Sequence, residues 1–144
     1  MDQGLIHIYC GDGKGKTSAA TGLAVRAAGC GKKVLFARFL KNEESGELKV
    51  LDQIPEIDVI HLERSYGFYS TLSDSEKEEV HRMYHALWSD ILNMISEGTY
   101  DILVMDEFMA AYGRLVELAD YVSEIRKIRH PFDRGIRARR GIEY

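Results

Sequence analysis

Short apolar runs alternate along the chain with segments of helical composition. Three of them, Leu5–Tyr9, Lys33–Leu40 and Ile57–Leu62, predict strands, and the continuous apolar run Tyr100–Met105 predicts a buried parallel strand. Strands that alternate with helices are typical of a parallel sheet covered by helices. The pattern therefore predicts an α/β fold with a mainly parallel sheet.

Three segments between these strands predict helices. Thr17–Ala28 is rich in alanine and ends at a glycine, and Glu47–Gln53 is a shorter candidate. Ser73–Glu97 places Val80, Leu87 and other apolar residues at helical spacing, so it is the longest predicted helix. The first of these helices follows the first strand directly, with a glycine-rich loop between them.

Composition limits the class of protein. The chain has 144 residues, of which 45% are hydrophobic, and this predicts one soluble domain over residues 1–144. No apolar stretch approaches the ~20 residues of a membrane span, and no signal sequence is recognisable, so we expect a cytoplasmic protein without a membrane partner. A net charge of -4 argues against a general nucleic-acid partner.

The C-terminal end is nevertheless basic. From Arg126 onward, arginine and lysine outnumber the two acidic residues Asp133 and Glu143. A solvated surface tail, a triphosphate contact, an acidic partner protein and nucleic acid are all compatible with this run. The sequence leaves these alternatives open.

The glycine-rich loop CGDGKGKT resembles a phosphate-binding loop with a shifted glycine. The general pattern GxxxxGK[ST] requires its first glycine at position 10, where this chain has Cys10, while Gly11 and Gly13 follow. A loop between a strand and a helix N-terminus offers backbone N–H groups to an anion. Lys16 adds a charge for phosphate oxygens, and the Thr17 hydroxyl can bind Mg²⁺.

The end of the strand Tyr100–Met105 carries the acidic pair Asp106 and Glu107. The Asp106 carboxylate can bind Mg²⁺ directly or through water. Since loop and acidic pair are the two parts of a triphosphate site, we predict ATP with Mg²⁺, or Mn²⁺ in its place. A glycine-rich turn that binds nothing would explain neither part.

Four stretches, taken in order, resemble the P-loop type of ATP:corrinoid adenosyltransferase. They are GDGKGKTSAATGLAVRAAGCGKKVLFARFLK, GELKVL, YDILVMDE and ELADYVSEIRKIRHPFDRGIRARRGIEY. The resemblance implies a RecA-like P-loop fold and transfer of the 5′-deoxyadenosyl group of ATP to the Co(I) of a corrinoid in vitamin B12 synthesis or salvage. The alternatives are a P-loop ATPase or kinase that acts on another acceptor, and a nucleotide-sensing or nucleic-acid module that uses the basic C-terminal run.

The family's reaction differs from phosphoryl transfer, because Co(I) attacks the 5′ carbon of the ribose and the whole triphosphate leaves. The loop must therefore hold the triphosphate as one unit, and the resemblance implies that it does so in reversed polarity. No general base is required, since no proton is removed. The resemblance also implies a homodimer and a reduced flavoprotein as electron donor.

The chain departs from the family at an aromatic pair. In the family this pair displaces the lower axial ligand of the corrinoid. The corresponding stretch here is YGFYSTLSD, in which Phe68 matches and Ser70 stands where the family has tryptophan. Phe68 and Tyr69 are the candidate corrinoid contacts, and whether Tyr69 or Tyr66 replaces the tryptophan stays open.

A second departure lies near residues 112–115. The stretch DEFMAAYGRLVELAD lacks about one βα unit of ~30 residues that the family contains. Either the chain has lost this unit, which exposes a sheet edge, or the printed sequence omits it. The second alternative is favoured, since Gly113 and Arg114 resemble the remnant of a TGR motif, and Arg114 is then expected near the nucleotide.

These arguments give one set of candidate site residues. The candidate ATP-binding residues are Gly11, Asp12, Gly13, Lys14, Gly15, Lys16, Thr17, Ser18 and Arg114. The candidate catalytic residues are Lys16 and Glu107, the candidate magnesium ligands are Thr17 and Asp106, and the candidate corrinoid contacts are Phe68 and Tyr69.

Overall fold

A computed structural model describes residues 4–39, 45–62, 71–108, 116–129, 131–135 and 137. Its elements in chain order are β1 (His7–Cys10), α1 (Lys16–Ala28), β2 (Val34–Arg38), α2 (Gly46–Leu51), β3 (Ile57–His61), α3 (Asp74–Ser96), β4 (Ile102–Asp106), β5 (Tyr121–Glu124) and a 3-10 helix (Pro131–Arg134).

Two compact units make up the chain. The first combines Met1–Leu23 with Phe108–Tyr144, and the second is Ala24–Glu107. The prediction of a single domain over residues 1–144 stays a prediction.

In the first unit, β1 pairs in parallel with β5. His7 lies opposite Tyr121, and their rings approach to 4.4 Å between centroids. Just before this pair, the Asp120 carboxylate accepts a hydrogen bond from the Ile6 backbone N–H at 2.7 Å. This contact fixes where the ladder begins.

In the second unit, three parallel strands have the order β3-β2-β4. All five residues of the central strand β2 are buried, and both of its edges are paired. The register places Arg38, the last residue of β2, opposite His61 on one side and Asp106 on the other. Two polar side chains thus meet at the carboxyl end of the β2–β4 pair.

Helix α3 belongs to the second unit and buries one apolar face. Its buried residues are Val80, Leu87 and Ile91, and their spacing keeps them on one side of the helix. Ser73 caps the N-terminus: its side chain accepts from the Glu76 N–H, and the Glu76 carboxylate accepts from the Ser73 N–H at 2.8 Å. No helix among the described residues is long and apolar enough to cross a membrane.

The predicted α/β class with parallel strands flanked by helices is confirmed, with element ends that differ by a few residues. The largest difference at the N-terminus is β1, which spans His7–Cys10 and not Leu5–Tyr9. Strand β5 was not predicted from sequence, because all four of its residues are exposed and no apolar run indicates a strand there. The junction near residues 112–115 lies outside the described residues, so the predicted absence of a βα unit stays a prediction.

The burial of α3 predicts that alanine substitutions at two neighbouring residues change the free energy of unfolding by very different amounts. Ile91 is fully buried, whereas the Leu92 side chain is 49% exposed. We expect Ile91→Ala to lower the free energy of unfolding by about 2–5 kcal/mol and Leu92→Ala to change it by no more than about 0.5 kcal/mol. Urea denaturation of the two variants tests this, and equal losses would show that this face of α3 is not packed as described.

Candidate active site

Two glycines with left-handed backbone form the turns of the loop between β1 and α1. Gly11 has φ 103° and Gly15 has φ 115°, conformations that residues with a Cβ rarely adopt. The Gly15 carbonyl accepts a hydrogen bond from Ala19 N at 2.8 Å, which closes the first turn of α1. The loop therefore ends at the N-terminus of a helix, where backbone N–H groups favour an anion.

The first half of the loop lies against the backbone of Ile125, the residue that follows β5. Gly13 N donates to the Ile125 carbonyl at 2.7 Å, and Ile125 N donates to the Cys10 carbonyl at 2.8 Å. A Cβ on Gly11 would overlap the Ile125 carbonyl oxygen, and a Cβ on Gly13 would lie 2.7 Å from it. Glycine is required at both positions because another backbone occupies the space.

This contact explains the shifted glycine of the loop. Cys10 is the last residue of β1, lies opposite Glu124 in the ladder, and donates its thiol to the Ser123 carbonyl at 3.7 Å. Position 10 is thus an ordinary strand position with room for a side chain. The close approach of Ile125 comes one and three residues later, at Gly11 and Gly13.

Asp12 joins the loop to the same segment. Its carboxylate accepts a hydrogen bond from the Lys127 backbone N–H at 3.0 Å. This bond holds the pKa of the exposed Asp12 carboxyl below its usual range. Arg126 pairs with Glu124 and Lys127 pairs with Asp133, so these two cations of the basic C-terminal run have acidic partners inside the chain.

The Lys16 ammonium lies inside the curve of the loop. It donates to the Gly11 and Gly13 carbonyls, each at 2.8 Å. An ammonium has three donors, so Lys16 can keep both loop contacts and also meet an anion. This is the position that a phosphate-binding lysine needs, with its charge held beside a helix N-terminus.

The other predicted loop residues follow from the same geometry. Asp12, Lys14 and Ser18 are exposed, and Thr17 is half-buried in the first turn of α1. Gly13 is buried, and its N–H is engaged by Ile125. The described loop therefore brings its candidate phosphate contacts together around Lys16 and the start of α1.

In the second unit, Asp106 ends β4 and is 7% exposed. Its Oδ2 accepts from Arg38 Nε at 3.0 Å, and Arg38 is fully buried. The other end of the guanidinium donates from Nη2 to Glu47 Oε1 at 2.6 Å and from Nη1 to the Ser45 hydroxyl. Sequence analysis missed Arg38, although a charged residue inside the apolar run VLFARFL was a signal.

Glu107 follows Asp106 with φ 61°, the left-handed region that residues other than glycine rarely occupy. Such backbone costs free energy and clusters at functional sites. The Asp106 carbonyl accepts from Phe39 N at 3.1 Å, which fixes the backbone just before this turn. The structure thus turns the chain sharply at the predicted acidic pair.

Not all predicted site residues fall within the described part of the chain. Phe68, Tyr69 and Arg114 lie outside it, so their roles stay predictions. Thr17 belongs to the first unit and Asp106 to the second. Their joint use of one metal ion also stays a prediction.

The Ile125 contact predicts that alanine substitutions at two glycines change the free energy of unfolding in opposite directions. In Gly13→Ala the new methyl group would press on the Ile125 and Arg126 backbone, so we expect a loss of more than about 1 kcal/mol of unfolding free energy and weaker ATP binding. Gly22→Ala, in α1, meets no atom within 4 Å and should gain up to about 1 kcal/mol. Denaturation and ATP calorimetry measure both effects. Equal stability of the two variants would mean that Ile125 does not lie on the loop.

Comparison with known proteins identifies a family that matches along the chain. The model of the family described as ATP:corrinoid adenosyltransferase BtuR/CobO/CobP matches residues 2–115 and 109–144. The two matched stretches overlap at residues 109–115, the junction where a βα unit is predicted to be missing.

Individual relatives agree with the family match. The corrinoid adenosyltransferase of Escherichia coli K12 and the corrinoid adenosyltransferase CobA of Salmonella typhimurium are each 32% identical to this chain over 176 aligned positions, which cover 99% of this chain and 87% of each relative. A corrinoid adenosyltransferase of Pseudomonas aeruginosa is 26% identical and covers 99% of this chain. With a glycine-rich loop before α1 and this match over nearly its whole length, the chain belongs to the ATP:corrinoid adenosyltransferase family.

Proposed function

We propose that the chain uses its loop to hold the triphosphate of ATP as a leaving group while the 5′-deoxyadenosyl group passes to the Co(I) of a corrinoid. The observation that carries this proposal is the position of the Lys16 ammonium, inside a loop at the N-terminus of α1. Family membership supplies the reaction class, adenosylation of a corrinoid in vitamin B12 metabolism.

The bond changes explain what the site must provide. The electron pair on Co(I) forms the bond to the 5′ carbon, the bond from that carbon to oxygen breaks, and its electron pair leaves with the triphosphate. No proton moves in this step, so a general base has no part in it. Charge accumulates on the leaving oxygen, and stabilising that charge is the main task of the protein.

The loop can supply this stabilisation. We assign it to the Lys16 ammonium, to the backbone N–H groups of Gly15 and Lys16, and to the first turn of α1 with Thr17 and Ser18. Gly13 N–H is left out of this set, because it donates to the Ile125 carbonyl. Gly13 then contributes by allowing the close packing of the loop.

The candidate residues fit a magnesium ion by their donor chemistry. The Thr17 hydroxyl and the Asp106 carboxylate are oxygen donors of the kind that Mg²⁺ prefers, and Mn²⁺ accepts the same donors. Among the described residues no three His, Cys, Asp or Glu side chains form a metal cluster. Mg²⁺ usually takes its remaining ligands from phosphates and water, so Thr17 and Asp106 would suffice on the protein side.

Bound Mg²⁺ would neutralise part of the negative charge on the triphosphate. Glu107 is proposed as a second carboxylate at the same strand end, with its direction fixed by the left-handed backbone. Asp12 is proposed to support the loop through its bond to Lys127.

On the corrinoid side, we propose Phe68 and Tyr69 as contacts that shield the lower face, and Arg114 as a nucleotide contact. The proposal extends to a homodimer in the cytoplasm that receives electrons from a reduced flavoprotein. The residue assignments rest on the resemblance of YGFYSTLSD and of the residues around Gly113 to the family, and the homodimer and electron donor rest on the family resemblance as a whole.

The products of the reaction test the proposed function. Incubation with MgATP and a chemically reduced Co(I) corrinoid should yield intact triphosphate and an adenosylated, light-sensitive corrinoid in equal amounts, with little ADP, since no phosphorus–oxygen bridge breaks. Phosphorus NMR of the quenched reaction measures the phosphates. ADP and inorganic phosphate formed equally well without corrinoid would mean that the chain is a P-loop hydrolase.

Two lysine variants make this test specific to the loop. Lys16→Ala should lose both products, because the charge inside the loop is removed. Lys49→Ala removes an exposed lysine of α2 and should leave the yield of both products unchanged.

A further inference from the structure

A fully buried arginine links the acidic strand end to a neighbouring helix. Arg38 donates from Nε to Asp106, while its terminal nitrogens contact Glu47 and Ser45. Burying a guanidinium is costly unless it is fully paired, and a paired one holds its partners in fixed orientations. Nothing in the packing of β2, whose other four side chains are apolar and buried, calls for a charge at this position.

We propose that Arg38 is a positioning residue that sets the orientation of the Asp106 carboxylate for the metal and nucleotide. This inference rests on the proposed magnesium role of Asp106. Groups that hydrogen-bond to a metal ligand orient it, and their loss commonly costs 10–100-fold in metal affinity or activity.

The sheet builds this contact. Arg38 and Asp106 are the last residues of β2 and β4 and lie opposite each other in the parallel register. Their Nε···Oδ2 bond of 3.0 Å therefore crosses between adjacent strands whose backbones are fixed by the ladder. The Phe39 N–H, which donates to the Asp106 carbonyl, holds the backbone of the same pair.

The far end of Arg38 is held at the start of α2. Ser45 is the N-cap residue of α2, yet its side chain makes no capping hydrogen bond and contacts Arg38 Nη1 instead. In the first turn of α2, Glu47 Oε1 accepts a hydrogen bond from Arg38 Nη2 at 2.6 Å. The helix forgoes a local cap, and the guanidinium is hydrogen-bonded at both ends.

Two substitutions distinguish the effect of the hydrogen bond to Asp106 from the effect of the other contacts of Arg38. The amide nitrogen of glutamine and the terminal methyl of methionine both lie as many bonds from Cα as Arg Nε does. Arg38→Gln can therefore keep a donor for Asp106, while Arg38→Met cannot, and both lose the contacts to Ser45 and Glu47. We expect Arg38→Met to lower the Mg²⁺ affinity measured in the presence of ATP about tenfold or more. Arg38→Gln should keep a Mg²⁺ affinity close to that of the wild type.

Calorimetric titration of ATP at a series of Mg²⁺ concentrations measures this affinity. The same pair is then compared in an Asp106→Asn background, where the difference between Met and Gln should disappear if Arg38 acts through the carboxylate. Equal Mg²⁺ affinity of the Met and Gln variants, or a difference that persists in the Asp106→Asn background, would overturn the inference. If Asp106→Asn alone leaves the Mg²⁺ dependence intact, the proposed metal role of Asp106 fails, and this inference fails with it.

A third variant keeps the test valid if Arg38→Met does not fold. Glu47→Gln weakens only the far end of the guanidinium, so it should lower the urea midpoint and leave Mg²⁺ affinity near wild type, with the Asp106 bond in place. A loss of Mg²⁺ affinity as large as that expected for Arg38→Met would show that the contact with Asp106 is not what positions the carboxylate.

Discussion

The backbone of Ile125 lies so close to the glycine-rich loop between β1 and α1 that no side chain fits at Gly11 or Gly13. The contact extends the β1–β5 pairing by one residue and uses the Gly13 N–H. The carbonyls of the same two glycines accept hydrogen bonds from the Lys16 ammonium. The shape of the loop at Gly11 and Gly13, on which the position of this charge depends, thus rests on the close approach of two backbones.

A loop shaped in this way suits a reaction in which the triphosphate leaves as a whole. In the proposed reaction, Lys16 and the N-terminus of α1 would stabilise negative charge wherever it lies on the phosphates, and neither would have to act on a particular bridging oxygen. In the second unit, a buried arginine holds Asp106 at the end of β4, and the β2–β4 ladder fixes the backbone of this pair.

The sequence predicted most of the fold, because apolar runs and helical spacing identify β2, β3, β4 and the three helices locally. It could not predict β5, whose residues are all exposed and whose only partner among the described strands is β1. The unusual glycines were visible in the sequence, but the reason for them was not, since Ile125, whose backbone lies against Gly11 and Gly13, is far from them along the chain. Arg38 was missed for the same reason, because its partner Asp106 is 68 residues away and only the sheet register brings them together.

Amide hydrogen exchange at Gly13 tests the central contact most directly. Since its N–H donates to Ile125 in the free protein, Gly13 should exchange more slowly than the exposed neighbour Lys14, both without and with MgATP. MgATP should add protection at Gly15 and Lys16. A Gly13 amide that exchanges as fast as that of Lys14 in the free protein, and gains protection only with MgATP, would contradict the account, because the N–H would then bind phosphate and not Ile125.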